Sequence, residues 1–270
     1  MIALIRGGGD LASGVAIRLH RAGVRVVVGE LPQPLAVRRL VCFSEAVYAG
    51  ECSVEGVIAR RVNDPTDMLR ILQILSKGQI AVLVDPDGLS VKHLHPHVVI
   101  DARMIKQRVP LIETPVKLIV GLGPGFSAGE NCHAAIETNR GHMLGRVIWD
   151  GPPEPDTGQP DVVANRRSER VLRAPADGEL LAHAEICDHL EAGQLVAEVG
   201  GQPIHAPFKG VLRGLLRSGV QVNRGLKIGD VDPRDEARYC TLVSDKSLAI
   251  AGGVMEAILS RPELRKHLWD

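Results

Sequence analysis

The sequence predicts an α/β protein with a parallel sheet, joined to a smaller all-β unit, and three observations carry that reading. Short aliphatic runs alternate with helix-like stretches through the first 150 residues. A segment rich in proline and glycine, from Gly151 to about Asn165, then breaks the pattern. Beyond it a 32-residue register repeats, with glycine turns and no helical period.

Each element follows from its residues. Ile2 to Ile5 is a short apolar run, followed by Gly7-Gly8-Gly9-Asp10-Leu11-Ala12 and a helix to about Ala22 that Gly23 ends. Val24 to Val28 is almost purely aliphatic, as a parallel strand covered on both faces requires. Further runs occur at Val57–Ala59, Ile80–Val84, Val98–Ile100 and Lys117–Val120. In DPTDMLRILQILSKG, Asp64 or Thr66 is placed to cap a helix and Gly78 to terminate it. The run at Lys117–Val120 empties into glycines 121, 123, 125 and 129, and the next helix is expected to open with Cys132 and His133 in its first turn.

In the repeat, Ala174, Pro175, Gly178 and Leu180 return as Ala206, Pro207, Gly210 and Leu212. Leu190, Gly193, Val196 and Val199 return as Val222, Gly225, Ile228 and Val231. Neither copy buries its apolar face alone, so the two are expected to pair as a small sandwich. The tail from Ser244 reads as a helix that Gly252–Gly253 interrupts, packing back on the first part. The predicted organisation is a nucleotide-binding domain over 1–150 joined by the helix at 243–270, a linker over 151–167 and a β-unit over 168–235.

Composition narrows the function. Aromatics are 3% of the chain and formal net charge is zero, which argues against nucleic acid and against an anionic membrane surface. No apolar run reaches the roughly 20 residues of a membrane helix, and no signal peptide is recognisable. The five cysteines are scattered, odd in number and form no CxxC, so reduced thiols and a cytoplasmic location are expected. Homo-oligomerisation stays open.

In an open parallel sheet, ligands bind beyond the carboxyl ends of the strands. Polar or glycine-rich residues follow five predicted strands. Gly7, Gly9 and Ala12 fit GxGxxA, with Glu30 placed to meet ribose hydroxyls, close to a dinucleotide fingerprint. Asp10 counts slightly against phosphate there, because it brings negative charge to the helix start. Asp85 and Asp87 are either an acid–base or cation pair or ordinary turn formers. Asp101 and Arg103 form a local ion pair or grip an anionic substrate. Gly121, Gly123 and Gly125 make a loop that a ligand can approach. Cys132 is the sharpest catalytic candidate if it opens a helix, and a small buried residue otherwise. His133 and Glu137 would share a face of that helix, with Arg140 and His142 near its end, as a base cluster or a solvated ion-pair face. His93, His95 and His97 alternate in HLHPH, which reads as an exposed strand lead-in rather than a zinc site. No metal site is expected.

Several blocks carry a resemblance: GGGDLASGVAIRLHRAG, ELPQPLAVRR, VGLGPGFSAGENCHAAIETNRGHMLGRVI, the run from IHAPFKGVLRGLL to KIGDVDPR, and SDKSLAIAGGVMEAIL. Over nearly the whole chain the sequence resembles the YqeB family, accessory proteins of the selenium-dependent molybdenum hydroxylase system. The first domain also resembles the Rossmann domain of XdhC-type maturation factors, and the repeat resembles the barrel-sandwich hybrid of biotinyl and lipoyl domains. The turn between the copies reads VGGQPI, with no lysine to modify. The resemblance implies a maturation factor whose partners are the apo-hydroxylase and other cofactor-maturation proteins. A molybdopterin dinucleotide would be its ligand, and Cys132 would carry sulfur or selenium with help from His133 or His142. The alternatives are an NAD(P)-dependent oxidoreductase built on Gly7, Gly9, Ala12 and Glu30, and a non-enzymatic scaffold for the apo-hydroxylase.

Overall fold

A computed structural model describes residues 1–156, 158 and 169–268. Most of the proline-rich stretch expected as a linker lies outside the described residues. The chain divides into two compact units: Met1–Pro34, Cys42–Thr157 and Val243–Asp270 form the first, and Leu35–Val41 and Gly158–Leu242 the second.

Unit 1 is built on one sheet. Its strands are β1 (Ile2–Arg6), β2 (Arg25–Glu30), β3 (Glu51–Val54), β4 (Val57–Val62), β5 (Ile80–Val84), β6 (Val98–Asp101), β7 (Leu118–Leu122), β8 (Ala134–Ile136) and β9 (Val147–Ile148). They lie in the order β3-β4-β5-β2-β1-β6-β7-β8-β9. From β4 through β8 every neighbouring pair is parallel, and only the edge strands β3 and β9 run antiparallel. The aliphatic runs are therefore parallel strands buried on both faces. From β1 the chain builds outward to one side through β2 and to the other through β6. The strand order reverses between β1 and β6, where such sheets open a crevice.

Among the described residues this unit has the helices α1 (Asp10–Arg21), α2 (Glu45–Ala49), α3 (Met68–Ser76), α4 (Ser90–Leu94), α5 (Asp245–Leu259) and α6 (Pro262–Arg265). Leu4, Val27, Leu83 and Val99 share a core with Ile71, Ile74, Val91 and Leu94 from α3 and α4. Their odd-numbered or even-numbered neighbours along each strand, such as Ile5, Val28 and Ile100, are fully or almost fully buried on the opposite face. α1 packs against α5. Gly14 permits the close approach, since a Cβ there would lie 2.5 Å from the Ser247 Cβ.

Four local expectations are corrected. α5 runs unbroken through Gly252–Gly253. Gly253 is needed because the Gly145 carbonyl oxygen would sit 2.1 Å from any Cβ. Asp67, not Asp64 or Thr66, caps α3 by accepting from the Arg70 N–H at 2.9 Å, while Asp64 holds the N–H and hydroxyl of Thr66. His93 lies in α4 and His95 is its left-handed C-cap (φ 44°), so HLHPH is not an extended lead-in. No helix opens at Cys132 either. The chain turns at Gly129–Cys132 and enters β8, three residues of the sheet.

Unit 2 holds β10 (Val171–Arg173), β11 (Gly178–Ala182), β12 (His189–Leu190), β13 (Leu195–Val199), β14 (Gln202–His205), β15 (Gly210–Leu215), β16 (Gln221–Val222) and β17 (Lys227–Asp232). They form two four-stranded antiparallel sheets, β10-β17-β15-β12 and β14-β13-β11-β16. Shifting by the repeat carries β11, β12 and β13 onto β15, β16 and β17, so each copy contributes strands to both sheets. Repeat mates are buried together: Leu180 with Leu212, Val196 with Ile228, Val199 with Val231. That shared core explains why the register is visible in the sequence at all. Leu35–Val41, read from sequence as part of the first domain, belongs with this unit. Val37 lies against Gly214, and the Arg39 Nε donates to the Leu215 carbonyl at 2.8 Å.

Candidate functional site

Two polar clusters form at the carboxyl edge of the central strands, on opposite faces of the sheet. Arg6 continues the row of Ile2 and Leu4, and Asp101 continues that of Val99, which places both on the α3/α4 face. Glu30 continues the row of Val26 and Val28 on the other face, beside the glycine loop.

On the α3/α4 face the Asp101 carboxylate is fully buried and shared by two arginines. Arg103 binds it bidentately, Nε to Oδ1 at 2.9 Å and NH2 to Oδ2 at 2.6 Å, and Arg6 stands 3.6 Å away. A buried carboxylate without such partners would be strongly destabilising. Two guanidinium groups share this carboxylate, and on the wall of the cavity beside them Asp87 and Glu113 stand against the charge of Arg6, Arg103 and Lys92. Burial and the charge of Arg103 push the Arg6 guanidinium below its usual pKa, against the pull of Asp101, Asp85 and Asp87. Gly88 (φ 74°) has no side chain because the Arg6 guanidinium lies 2.8 Å from where its Cβ would be. These groups border a cavity of about 370 Å³, lined also by Asp87, Val91, Lys92, Leu111, Ile112 and Glu113. Its volume falls in the range of small-molecule sites, and its wall mixes apolar side chains with charged ones of both signs.

On the other face, the glycine loop is braced from inside. Gly7 (φ 93°) crosses Ala102 so closely that a Cβ would lie 3.3 Å from its carbonyl carbon. The Glu30 oxygens accept from the N–H groups of Gly8 and Leu31, each at 2.7 Å. Burial raises the Glu30 pKa against those two hydrogen bonds. The carbonyl of Gly8 accepts from the Ser44 N–H and the Ser13 hydroxyl. Only Gly9, the N-cap of α1, has nothing within 4 Å of its Cβ position. Asp10 accepts from the Ser247 hydroxyl at 3.0 Å, and Ala12 is buried under the helix. Glu30 was expected to meet a ribose. Its two carboxylate oxygens instead hold the loop.

The remaining candidates are dispersed. Asp85 caps α4, accepting from the N–H groups of Leu89 and Ser90 and from the Ser90 hydroxyl. The second glycine loop is filled by its own chain. At Gly121 a Cβ would stand 2.1 Å from the Phe126 ring, and at Gly125 it would stand 2.4 Å from the Ile105 carbonyl oxygen. Gly123 (φ 87°) faces Met104 and the Thr138 hydroxyl. Cys132 is 5% exposed, packed among Val109, Ile119, Phe126 and Ala135. Burial pushes its thiol up to about 11, the reverse of an activated nucleophile. The His133 Nδ1 accepts from the Ile119 N–H at 2.9 Å, and burial, then Arg261, lowers the pKa of the ring. Glu137 is buried, holding the N–H groups of Asn139 and Glu154, and His142 is exposed in the following turn. None of these lines the cavity. Of the candidates read from sequence, Asp87, Asp101 and Arg103 come together, joined by Arg6 and Lys92, which the sequence pattern does not single out. Arg6 had a signal, since it is the last residue before the first glycine loop. Lys92 had none. Among the described residues no three of His, Cys, Asp or Glu are placed to hold a metal ion, and no helix is long and apolar enough to cross a membrane.

No family model matches the chain. It is 43% identical over 258 residues to the uncharacterized protein YqeB of Escherichia coli K12, an alignment covering 96% of this chain and 47% of that protein. The chain thus spans about half the length of this relative, and the identity supports membership of the YqeB family. Among solved structures, an aspartoacylase family protein of Mesorhizobium loti aligns over 85% of this chain and 83% of its own, at 10% identity and a TM-score of 0.26. The ectoine utilization protein EutE of Ruegeria pomeroyi aligns over 85% and 56%, at 12% identity and a TM-score of 0.23. Neither structural likeness is large enough to bear on fold or function.

Proposed function

We propose that unit 1 binds a phosphate-bearing small molecule at the Arg6–Arg103 cavity, and that the protein acts as an accessory factor in the maturation of selenium-dependent molybdenum hydroxylases. The observation that carries the binding reading is the pair of guanidinium groups fixed on one buried carboxylate at the point where the strand order reverses. Asp101 orients the arginines, and a planar guanidinium pairs with phosphate oxygens two at a time. Leu111, Ile112 and Val91 supply apolar wall for a planar group beside the charge. A nucleotide-bearing form of molybdopterin has both features, and the family resemblance is what favours it over other phosphates. In this reading unit 1 is Rossmann-like and the apo-hydroxylase is the protein's partner. Unit 2 is a barrel-sandwich hybrid without a modifiable lysine at its Gly200–Gly201 turn. Transfer of sulfur or selenium at Cys132 is not part of it, because that thiol is buried and protonated.

Isothermal titration of the full chain with CDP, GDP, NAD and NADP tests the binding reading. A nucleoside diphosphate is expected to bind, and Arg103→Gln is expected to weaken it by about tenfold or more. Saturable heat from NAD that Arg103→Gln leaves unchanged would move the site to the glycine loop and overturn the assignment. So would the absence of heat with every ligand. The hydroxylase role is tested separately in cells, where deletion is expected to leave hydroxylase protein present but inactive.

A further inference from the structure

We infer that Cys187 and Cys240 form a thiol–disulfide exchange site in unit 2, whose substrates are small-molecule disulfides of the oxidised-glutathione class. The two residues are 53 apart in sequence but meet at one backbone group. The Cys187 N–H donates to the Leu212 carbonyl at 2.9 Å, and the Cys240 thiol reaches the same oxygen at 3.7 Å. The Cys187 side chain is also, after burial, the group that most raises the Cys240 thiol, as expected of near neighbours.

The geometry is held from both sides. The Asp188 carbonyl accepts from the Leu212 N–H at 2.9 Å, so Cys187 and Asp188 bracket Leu212 as a short ladder. Cys187 adopts φ 86°, a left-handed conformation that favours glycine and that a cysteine keeps only where its surroundings fix it. On the other side, Cys240 ends a short turn whose neighbours Tyr239 and Leu242 both give their carbonyls to the Arg38 guanidinium, at 2.9 and 2.8 Å. Cys240 is fully buried while Cys187 is half-buried, so an electrophile enters at Cys187.

The exchange balances without any further reactant. Cys187 loses its proton and attacks one sulfur of RSSR, the S–S bond breaks, and RS⁻ leaves and takes up a proton. Cys240 then loses its proton and attacks the Cys187 sulfur, forming the protein disulfide and expelling a second RSH. Two protein thiols are oxidised by two electrons and one RSSR is reduced to two RSH. In the resting pair the Cys240 thiol is pushed up to about 12 by burial and then by Cys187, with Arg38 and Arg213 opposing.

The test uses the full chain, incubated with oxidised glutathione, alkylated under denaturing conditions and mapped by mass spectrometry. The expected product is a Cys187–Cys240 disulfide formed ahead of any link through Cys42, Cys52 or Cys132, with the unfolding midpoint of unit 2 raised by about 5 °C or more. Cys240→Ser is expected to trap glutathione on Cys187, a readout independent of the disulfide itself. Both cysteines recovered as free thiols, or first oxidation at Cys52, would overturn the proposal, as would a glutathione adduct on wild-type Cys187 that never resolves.

Discussion

The two glycine loops of unit 1 look alike in sequence and are opposite in use. Gly121 and Gly125 are glycines because the chain's own atoms occupy the space a side chain would take: the Phe126 ring at one, the carbonyls of Ile105 and Gln107 at the other. Gly9 has open space around it. A glycine-rich loop after a strand thus reports close approach by something, and only the surroundings say whether that something is the protein or a ligand.

The contrast can be broken by substitution. Gly121→Ala should destabilise unit 1 by roughly 3 kcal/mol, at the upper end for overpacking, because the Phe126 ring must leave its place; denaturant titration measures it, and a loss below about 1 kcal/mol would dissolve the distinction. Glu30→Gln should cost about 1–2 kcal/mol, since an amide offers one acceptor where the Gly8 and Leu31 N–H groups need two. The same variant has a pH signature. Glu30 has a raised folded pKa from burial, so the folded state binds the proton more tightly than the unfolded state. Its contribution is therefore full below the ordinary carboxylate range and declines as pH rises through the raised value. Glu30→Gln should flatten that decline, and an unchanged pH profile would contradict the assignment. Asp232 in unit 2 runs the other way. Burial works against its charge, but Arg234 and Arg213 hold its carboxyl below the usual range. Its contribution is present above the ordinary carboxylate pKa and lost as pH falls through the depressed one, so Asp232→Asn should remove part of the acid transition of unit 2. Smallest of all, Gly9→Ala should cost less than about 1 kcal/mol, the difference between glycine and alanine at an N-cap; a large loss there would mean the open loop is packed after all.

Much of the scaffold was legible in the residues. The strands of unit 1 are continuous aliphatic runs because helices or loops cover both faces, and the repeat of unit 2 is visible because its mates share one core. What was misread had local causes. Ala134-Ala135-Ile136 after Cys132 resembles a helix start, and a three-residue strand has no period to betray it. Leu35–Val41 carries no pattern and is placed only by tertiary contacts such as Val37 on Gly214. At the site, Asp101 and Arg103 were readable from their position after a strand. Arg6 precedes a glycine run whose own pattern dominates that stretch, and Lys92 lines the cavity from α4 beside HLHPH, whose alternating histidines give no sign of the lysine's role.

The most direct measurement is a crystal structure of the full chain soaked with CDP. The expected result is a diphosphate within hydrogen-bond distance, about 3 Å, of the Arg6 and Arg103 guanidinium groups, with its ring against Leu111 and Ile112. Density for the diphosphate at the amino end of α1 beside Gly9, or an Arg6–Arg103 cavity that stays empty at saturating CDP, would contradict it.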